Sequence, residues 1–191
     1  MPRLFTGIEI PSSIAQGLSM LRGGLPGARW IDPENYHLTL RFIGDVDGTT
    51  GRDVMQMLGG VRRAPFEIAL DRIDQFGGRK PRAVFAGAIP LPALIELQAE
   101  HERLLQRIGL PPESRKFSPH VTLARLRETS AHQVAEYLAA RALFRSPSFP
   151  VSRFVLFSSK ASTGGGPYVV EAAYPLLGAS GSARHAGQAY G

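Results

Sequence analysis

Two stretches of this chain carry the same four-residue pattern, His37-Leu-Thr-Leu and His120-Val-Thr-Leu, and that repetition constrains the fold more than any other feature. Each copy opens a run, Tyr36 to Ile43 and His120 to Leu126, with the character of a β-strand. Successive side chains on a strand point to opposite faces, so His37 and Thr39 share one face while Leu38 and Leu40 take the other. The same alternation separates His120 and Thr122 from Val121 and Leu123. Each strand can therefore anchor itself by burying two aliphatic side chains and still present an imidazole and a hydroxyl to a cleft. The chain has five histidines, and composition does not explain why two of them fall in one pattern. Duplication within the fold does, and it predicts two related α+β halves.

The flanking sequence fits such halves. Arg3 to Ile10 reads as a strand closed by Pro11, followed by a helix from Ser12 or Ser13 to about Arg22, with Ile14, Leu18 and Leu21 on one face. Gly23, Gly24, Pro26 and Gly27 end it, and Ala28 to Ile31 reads as a short strand. A helix is predicted over Thr50 to Arg63. Strands follow over Pro65 to Ile73 and Ala83 to Ile89, joined as a hairpin by a Gly-rich basic loop. From Pro90, leucines at helical spacing continue to Ile108 and stop at Gly109. Thr129 or Ser130 caps a helix to about Ala142, and two strand-like segments, Phe149 to Ser158 and Tyr168 to Leu176, complete the set. Gly164, Gly165 and Gly166 supply the turn between them; a phosphate cradle of backbone amides is the alternative use. The expectation is one bilobal catalytic domain over residues 1–177, with a soft division near 81–92, and a disordered tail over 178–191.

Composition narrows the chemistry. The chain lacks cysteine, so disulfides, thiolate nucleophiles and cysteine-bound zinc are excluded. There is no His-Glu-x-x-His, clustered aspartate, P-loop or nucleotide-cofactor fingerprint, and neither a metal nor a cofactor is expected. No apolar run is long enough to span a bilayer and no secretory leader is evident, so a cytoplasmic protein with no membrane partner is expected, acting as a monomer. Lys and Arg number 22 against 16 Asp and Glu, a formal charge of +6, which favours nucleic acid or nucleotide as partner, although solubility alone accounts for such a charge in many proteins.

Two imidazoles facing each other across a phosphate suffice for in-line phosphodiester chemistry, one taking a proton from the attacking oxygen and the other giving one to the leaving oxygen. Histidine suits both tasks because its ordinary titration near pH 6.5 lets one ring be neutral and the other cationic. Thr39 and Thr122 can each donate a hydrogen bond to a non-bridging oxygen. Spacing does not say which ring is acid.

With these flanks, the sequence resembles the 2H phosphoesterase superfamily, specifically the LigT-like group of RNA 2′,3′-cyclic phosphodiesterases, also called 2′-5′ RNA ligases. The resemblance covers roughly Leu4 to Leu177 and is carried by His37-Leu-Thr-Leu-Arg-Phe-Ile-Gly, Pro119-His-Val-Thr-Leu-Ala-Arg and the opening Arg3-Leu-Phe-Thr-Gly-Ile-Glu-Ile-Pro. It implies a bilobal pseudo-two-fold arrangement of antiparallel sheets flanked by helices around a central cleft. It implies metal-independent opening of an RNA 2′,3′-cyclic phosphate to a 2′-phosphomonoester, with His37 as proton donor and His120 as proton acceptor. Thr39 and Thr122 would then hold the phosphate and Arg125 would stabilise its charge. The alternatives are ATP-independent, reversible 2′-5′ RNA ligation, hydrolysis of a small cyclic nucleotide, and a non-catalytic module that binds RNA ends.

Strict alternation puts Arg125, five residues beyond His120, on the wrong face, so a bulge or strand end near Ala124 is required. Arg41 has the parity of His37 and is a candidate for substrate, with pairing to an acidic neighbour as the other reading. Phe42, Phe76 and Tyr168 are candidates for stacking on a base, with core packing as the other reading. Arg79 and Lys80, in the Gly-rich loop with Arg82, are candidates for the RNA backbone. His101, among charged residues of a helix, and His132, in the first turn of another, are expected to be solvated, and His185 lies in the tail.

Overall fold

The computed structural model describes residues 3–159 and 166–178. Gly164, Gly165, His185 and the tail beyond 178 lie outside the described residues. In chain order the elements are β1 (Arg3–Glu9), α1 (Ser12–Ser19), β2 (Ala28–Trp30), β3 (His37–Asp45), α2 (Gly48–Leu58), β4 (Phe66–Ile68), β5 (Leu70–Phe76) and β6 (Ala83–Ala88). They continue with α3 (Pro92–Arg107), β7 (His120–Leu126), α4 (Ala131–Ala139), β8 (Phe149–Val151), β9 (Arg153–Ser159) and β10 (Tyr168–Pro175).

Local chemistry sets several of these limits. Asp47 caps α2 by accepting the Thr50 backbone N–H at 2.7 Å, so the helix starts earlier than its apolar pattern indicates. Ser130 caps α4 in a reciprocal box with Gln133, which chooses Ser130 over Thr129. Gly109, at φ +90°, follows the end of α3 in a conformation only glycine enters at little cost. Two expected single strands are each divided. The Pro65–Ile73 run breaks at Ala69 and the Phe149–Ser158 run at Ser152, because β4 and β8 pair in a separate two-stranded sheet while β5 and β9 join the main one.

Among the described residues the main sheet runs β10-β9-β1-β3-β7-β6-β5, with β2 added to β7. Among these residues all its strand pairings are antiparallel. The two histidine strands lie at its centre and meet at one pair, Leu38 with Val121. Beyond it they separate, and β2 takes the vacated edge of β7, setting Arg29 opposite Arg125. The chain exchanges strands between the two sides of this seam: β9 and β10 return to β1, and β2 leaves the first half for β7. This α+β architecture, with two similar groups of antiparallel strands about a centre, is the one expected.

One face of the sheet carries the helices. Leu38, Leu40, Val121 and Leu123 are buried there with Leu18 of α1, Val54 and Leu58 of α2, Leu94, Leu97 and Leu105 of α3 and Val134 of α4. Burying these side chains anchors the histidine strands, at about 1.5–3 kcal/mol for each large aliphatic. No helix of the described residues is long and apolar enough to cross a membrane.

Candidate active site

Continuing the antiparallel register one residue either way from Leu38–Val121 places His37 across from Thr122 and Thr39 across from His120. Opposed residues share a face, so the two imidazoles and two hydroxyls alternate around one bridge. This is a denser arrangement than two facing strands, because each histidine lies beside the other motif's threonine.

Both rings are oriented in the same way. The Nδ1 of His37 lies 2.9 Å from the carbonyl of Asn35, and that of His120 lies 2.7 Å from the carbonyl of Ser118, each two residues upstream. A carbonyl only accepts, so each Nδ1 carries the proton and Nε2 is left as the exchanging nitrogen. Aromatic walls surround the rings. Tyr168, Phe5 and Phe157 stand 4.8, 4.9 and 5.6 Å from His37, and Phe76 and Phe85 stand 4.8 and 5.1 Å from His120. Burial pulls the His37 titration down to about 4, and the charges of His120 and Arg125 push the same way against the Asn35 hydrogen bond. Burial also lowers His120, aided by the charge of Arg72.

The bulge required for Arg125 is present. The β6–β7 register slips between Thr122 and Ala124, leaving Leu123 as the extra residue, so Arg125 opposite Ala83 returns to the histidine face. A matching slip occurs in β3 at Leu40, with Gly7 opposite Thr39 and Thr6 opposite Arg41. It overturns the parity reading of Arg41. That side chain turns to the helix face, is buried, and bonds Glu102, the Phe42 carbonyl and the Pro111 carbonyl. Phe42 takes the position equivalent to Arg125 and is 46% exposed on the histidine face.

Tyr168 and Phe76 are thus gathered beside the histidines. Arg79 and Lys80 are exposed on the turn between β5 and β6, at the end of the sheet where Ala83 pairs with Arg125. His132 is exposed near Glu136, as expected. His101 is not solvated. It is fully buried beneath the sheet, 3.0 Å from the Thr6 hydroxyl and 4.4 Å from the Phe154 ring. Sequence reasoning also missed Phe5, Phe85 and Phe157, and Arg72, whose position opposite Gly87 puts it in the same row as His120. The +2 alternation along β1, β6 and β9 gives the aromatics; nothing in the sequence signals Arg72. Among the described residues no group of three His, Cys, Asp or Glu side chains converges as a metal site.

The profile of the LigT like Phosphoesterase family matches residues 8–85 and 89–168, which include both histidine motifs. The chain belongs to this family. An RNA 2′,3′-cyclic phosphodiesterase of Geobacillus stearothermophilus is 31% identical over 182 residues, 92% of this chain. An RNA 2′,3′-cyclic phosphodiesterase of Aeropyrum pernix is 35% identical over 111 residues, 57% of this chain. The aligned region spans 57% of the length of the first relative and 62% of the second. Among solved LigT-like structures, Escherichia coli LigT complexed with 3′-AMP superposes at a TM-score of 0.74 with 28% identity, covering 92% of this chain and 99% of that one.

Proposed function

We propose that this protein hydrolyses RNA 2′,3′-cyclic phosphate termini to 2′-phosphomonoesters by two-histidine acid–base catalysis without a metal. The observation that carries the reading is the reciprocal His–Thr arrangement about Leu38–Val121, with both Nδ1 atoms bound to carbonyls. The names of the relatives supply the substrate class, and the nucleotide bound by E. coli LigT supports a cleft that accepts a nucleoside phosphate.

In this scheme His120 Nε2 accepts a proton from water as the water oxygen bonds to phosphorus. The bond from phosphorus to O3′ breaks, and His37 Nε2–H protonates the departing oxygen, leaving the phosphate on O2′. Thr39 and Thr122 donate to the non-bridging oxygens, and Arg125 balances their charge. The division into donor and acceptor follows the family resemblance. Phe42, Phe76 and Tyr168 offer faces to the base, and Arg79 and Lys80 contact phosphates beyond the terminal nucleotide. The proposed setting is the cytoplasm, with the protein acting as a monomer.

The test is product analysis on a short RNA ending in a 2′,3′-cyclic phosphate, in EDTA, with wild type, His37→Ala and His120→Ala. The expected result is a 2′-phosphate from wild type and a loss of at least about a hundredfold in each variant. An RNA bound but returned unchanged would establish an end-binding module instead. Joining to an added 5′-hydroxyl RNA would establish ligation, and cleavage restricted to mononucleotides a small-nucleotide esterase. If Arg79→Ala/Lys80→Ala left the salt dependence of RNA binding unaltered, the loop would have no part in it.

A further inference from the structure

The bulges at Leu40 and Leu123 let the two histidine strands be matched residue by residue through their registers, and the match exposes a difference in charge beside the histidines. In the first half, Glu9 stands opposite His37 and takes the guanidinium of Arg153 from the next strand, Nε to Oε1 at 2.7 Å and Nη2 to Oε2 at 3.0 Å. In the second half, the residue opposite His120 is Gly87, and the next strand supplies Arg72 opposite Gly87. The arginine recurs, but no carboxylate stands opposite the histidine, and Arg72 bonds its chain neighbour Asp71 instead. The space above Gly87 is filled by Arg72 itself: a methyl group at position 87 would lie 2.7 Å from both its Nε and its Nη1.

We propose that Arg72 is a positioning residue of the second half-site: folded over Gly87 toward His120, it keeps that ring unprotonated and ready to take the proton of the attacking oxygen. The proposal rests on the two-histidine reaction above. Other charged groups share this face, His37 on β3, Arg125 on β7, Arg29 on β2 and Asp74 on β5, while β6 brings only Phe85 and Gly87 next to the ring. Arg72 is the cation whose field reaches His120, whereas Arg125 acts on His37. Its Nη1 also lies 3.0 Å from Asp71, which tempers the field without removing it, and the group is partly exposed, so the effect is modest.

The experiment is a titration of the His120 ring by NMR in the whole protein, alongside kcat/KM against pH on the cyclic-ended RNA. In Arg72→Ala the ring is expected to titrate about half a pH unit or more higher, with the acidic limb of kcat/KM moving alike and costing about threefold in rate below it. Arg72→Lys should restore much of the wild-type behaviour. Gly87→Ala should reproduce the Arg72→Ala shift, because a flexible guanidinium gives way to the methyl group, and the double variant should shift no further. An unmoved His120 titration in Arg72→Ala overturns the proposal, as does a loss of rate equal at every pH. If wild type leaves the RNA intact, the reaction itself is refuted, while the NMR titration still decides separately whether Arg72 governs His120.

Discussion

The depressed titration of His37 makes a quantitative demand on substrate binding. The proton donor of the proposed reaction must be protonated, yet burial holds this ring near 4 in the free protein, against an ordinary 6.5. A phosphate diester bound in the proposed pose, against Thr39, Thr122 and Arg125, would supply the missing negative charge and raise it again. If the anion restores the ordinary value, the difference of about 2.5 pH units at 1.36 kcal/mol each is worth about 3.4 kcal/mol. The sign follows from linkage: binding takes up a proton, so affinity rises as pH falls through the bound-state value and levels off near the free-state value. The full gain is about 300-fold, of which about twentyfold falls between pH 7 and pH 5. The probe should keep one charge throughout, as a 2′-5′-linked uridine dinucleotide does, and calorimetry in buffers of different ionisation enthalpy should record the proton taken up. His120→Ala should keep the His37 part of this dependence and His37→Ala should lose it. A wild-type affinity flat from pH 8 to pH 4.5, or a dependence that survives in His37→Ala undiminished, would refute the reasoning.

Three further outcomes test the frame around the site. Arg41→Ala should lower stability by about 3 kcal/mol in urea unfolding, since Glu102 loses its buried cation, keeping only Gln106 and the Glu113 N–H, and two carbonyls lose their donor, while the folded fraction retains the proposed cyclic phosphodiesterase activity. His101→Met should cross wild type in stability: lower by about 1 kcal/mol at pH 7, where the Thr6 hydroxyl loses its partner, but higher at pH 4.5. Burial holds His101 near 3 against 6.5 unfolded, so the native protein loses up to about 1.4 kcal/mol for each pH unit below 6.5 through this ring; unfolding curves at the two pH values decide it. Gly7→Ala should cost about 1–3 kcal/mol and impair activity, because the new carbon meets the Leu38 carbonyl oxygen at 2.8 Å and must move the strand that carries Thr39.

Much of this molecule is written in its local patterns. The two histidine strands, the hairpin around the basic loop and the leucine stripe of α3 follow from periods of two and 3.6 residues, which depend on nothing outside the element. Arg41 and Arg125 are different. Both follow a His-x-Thr-Leu core, yet a single extra residue in each strand exchanges which one reaches the cleft, and a bulge is decided by the partner strand rather than by its own sequence. His101 was obscured by its charged neighbours, although it continues the buried positions Leu94, Leu97 and Leu105; the stripe was the better guide. Arg72 could not be found without the register of β5 on β6 and of β6 on β7.

The same registers explain how a duplicated motif can support unlike tasks. Two identical half-sites would give two equal histidines, with no preference for which ring holds the proton. Here the backbone frame is repeated, since each ring binds the carbonyl two residues upstream and each strand bulges three residues after its histidine. The charges placed on that frame are not repeated. Position five after the histidine is Phe42 in one strand and Arg125 in the other, and the residue opposite the histidine is Glu9 in one half and Gly87 in the other. The antiparallel register carries Arg125 to the His37 end of the seam and Phe42 to the His120 end, so the contrast beside the rings is an arginine paired with Glu9 next to His37 and Arg72 next to His120, where the proposed reaction needs a neutral ring to meet water. Exchanging the pair opposite the histidines, by Glu9→Gly with Gly87→Glu, should therefore release Arg153 toward His37 and neutralise Arg72. The two ring titrations, followed by NMR, are expected to move in opposite directions, His37 downward and His120 upward, and parallel movement would show that the asymmetry lies elsewhere.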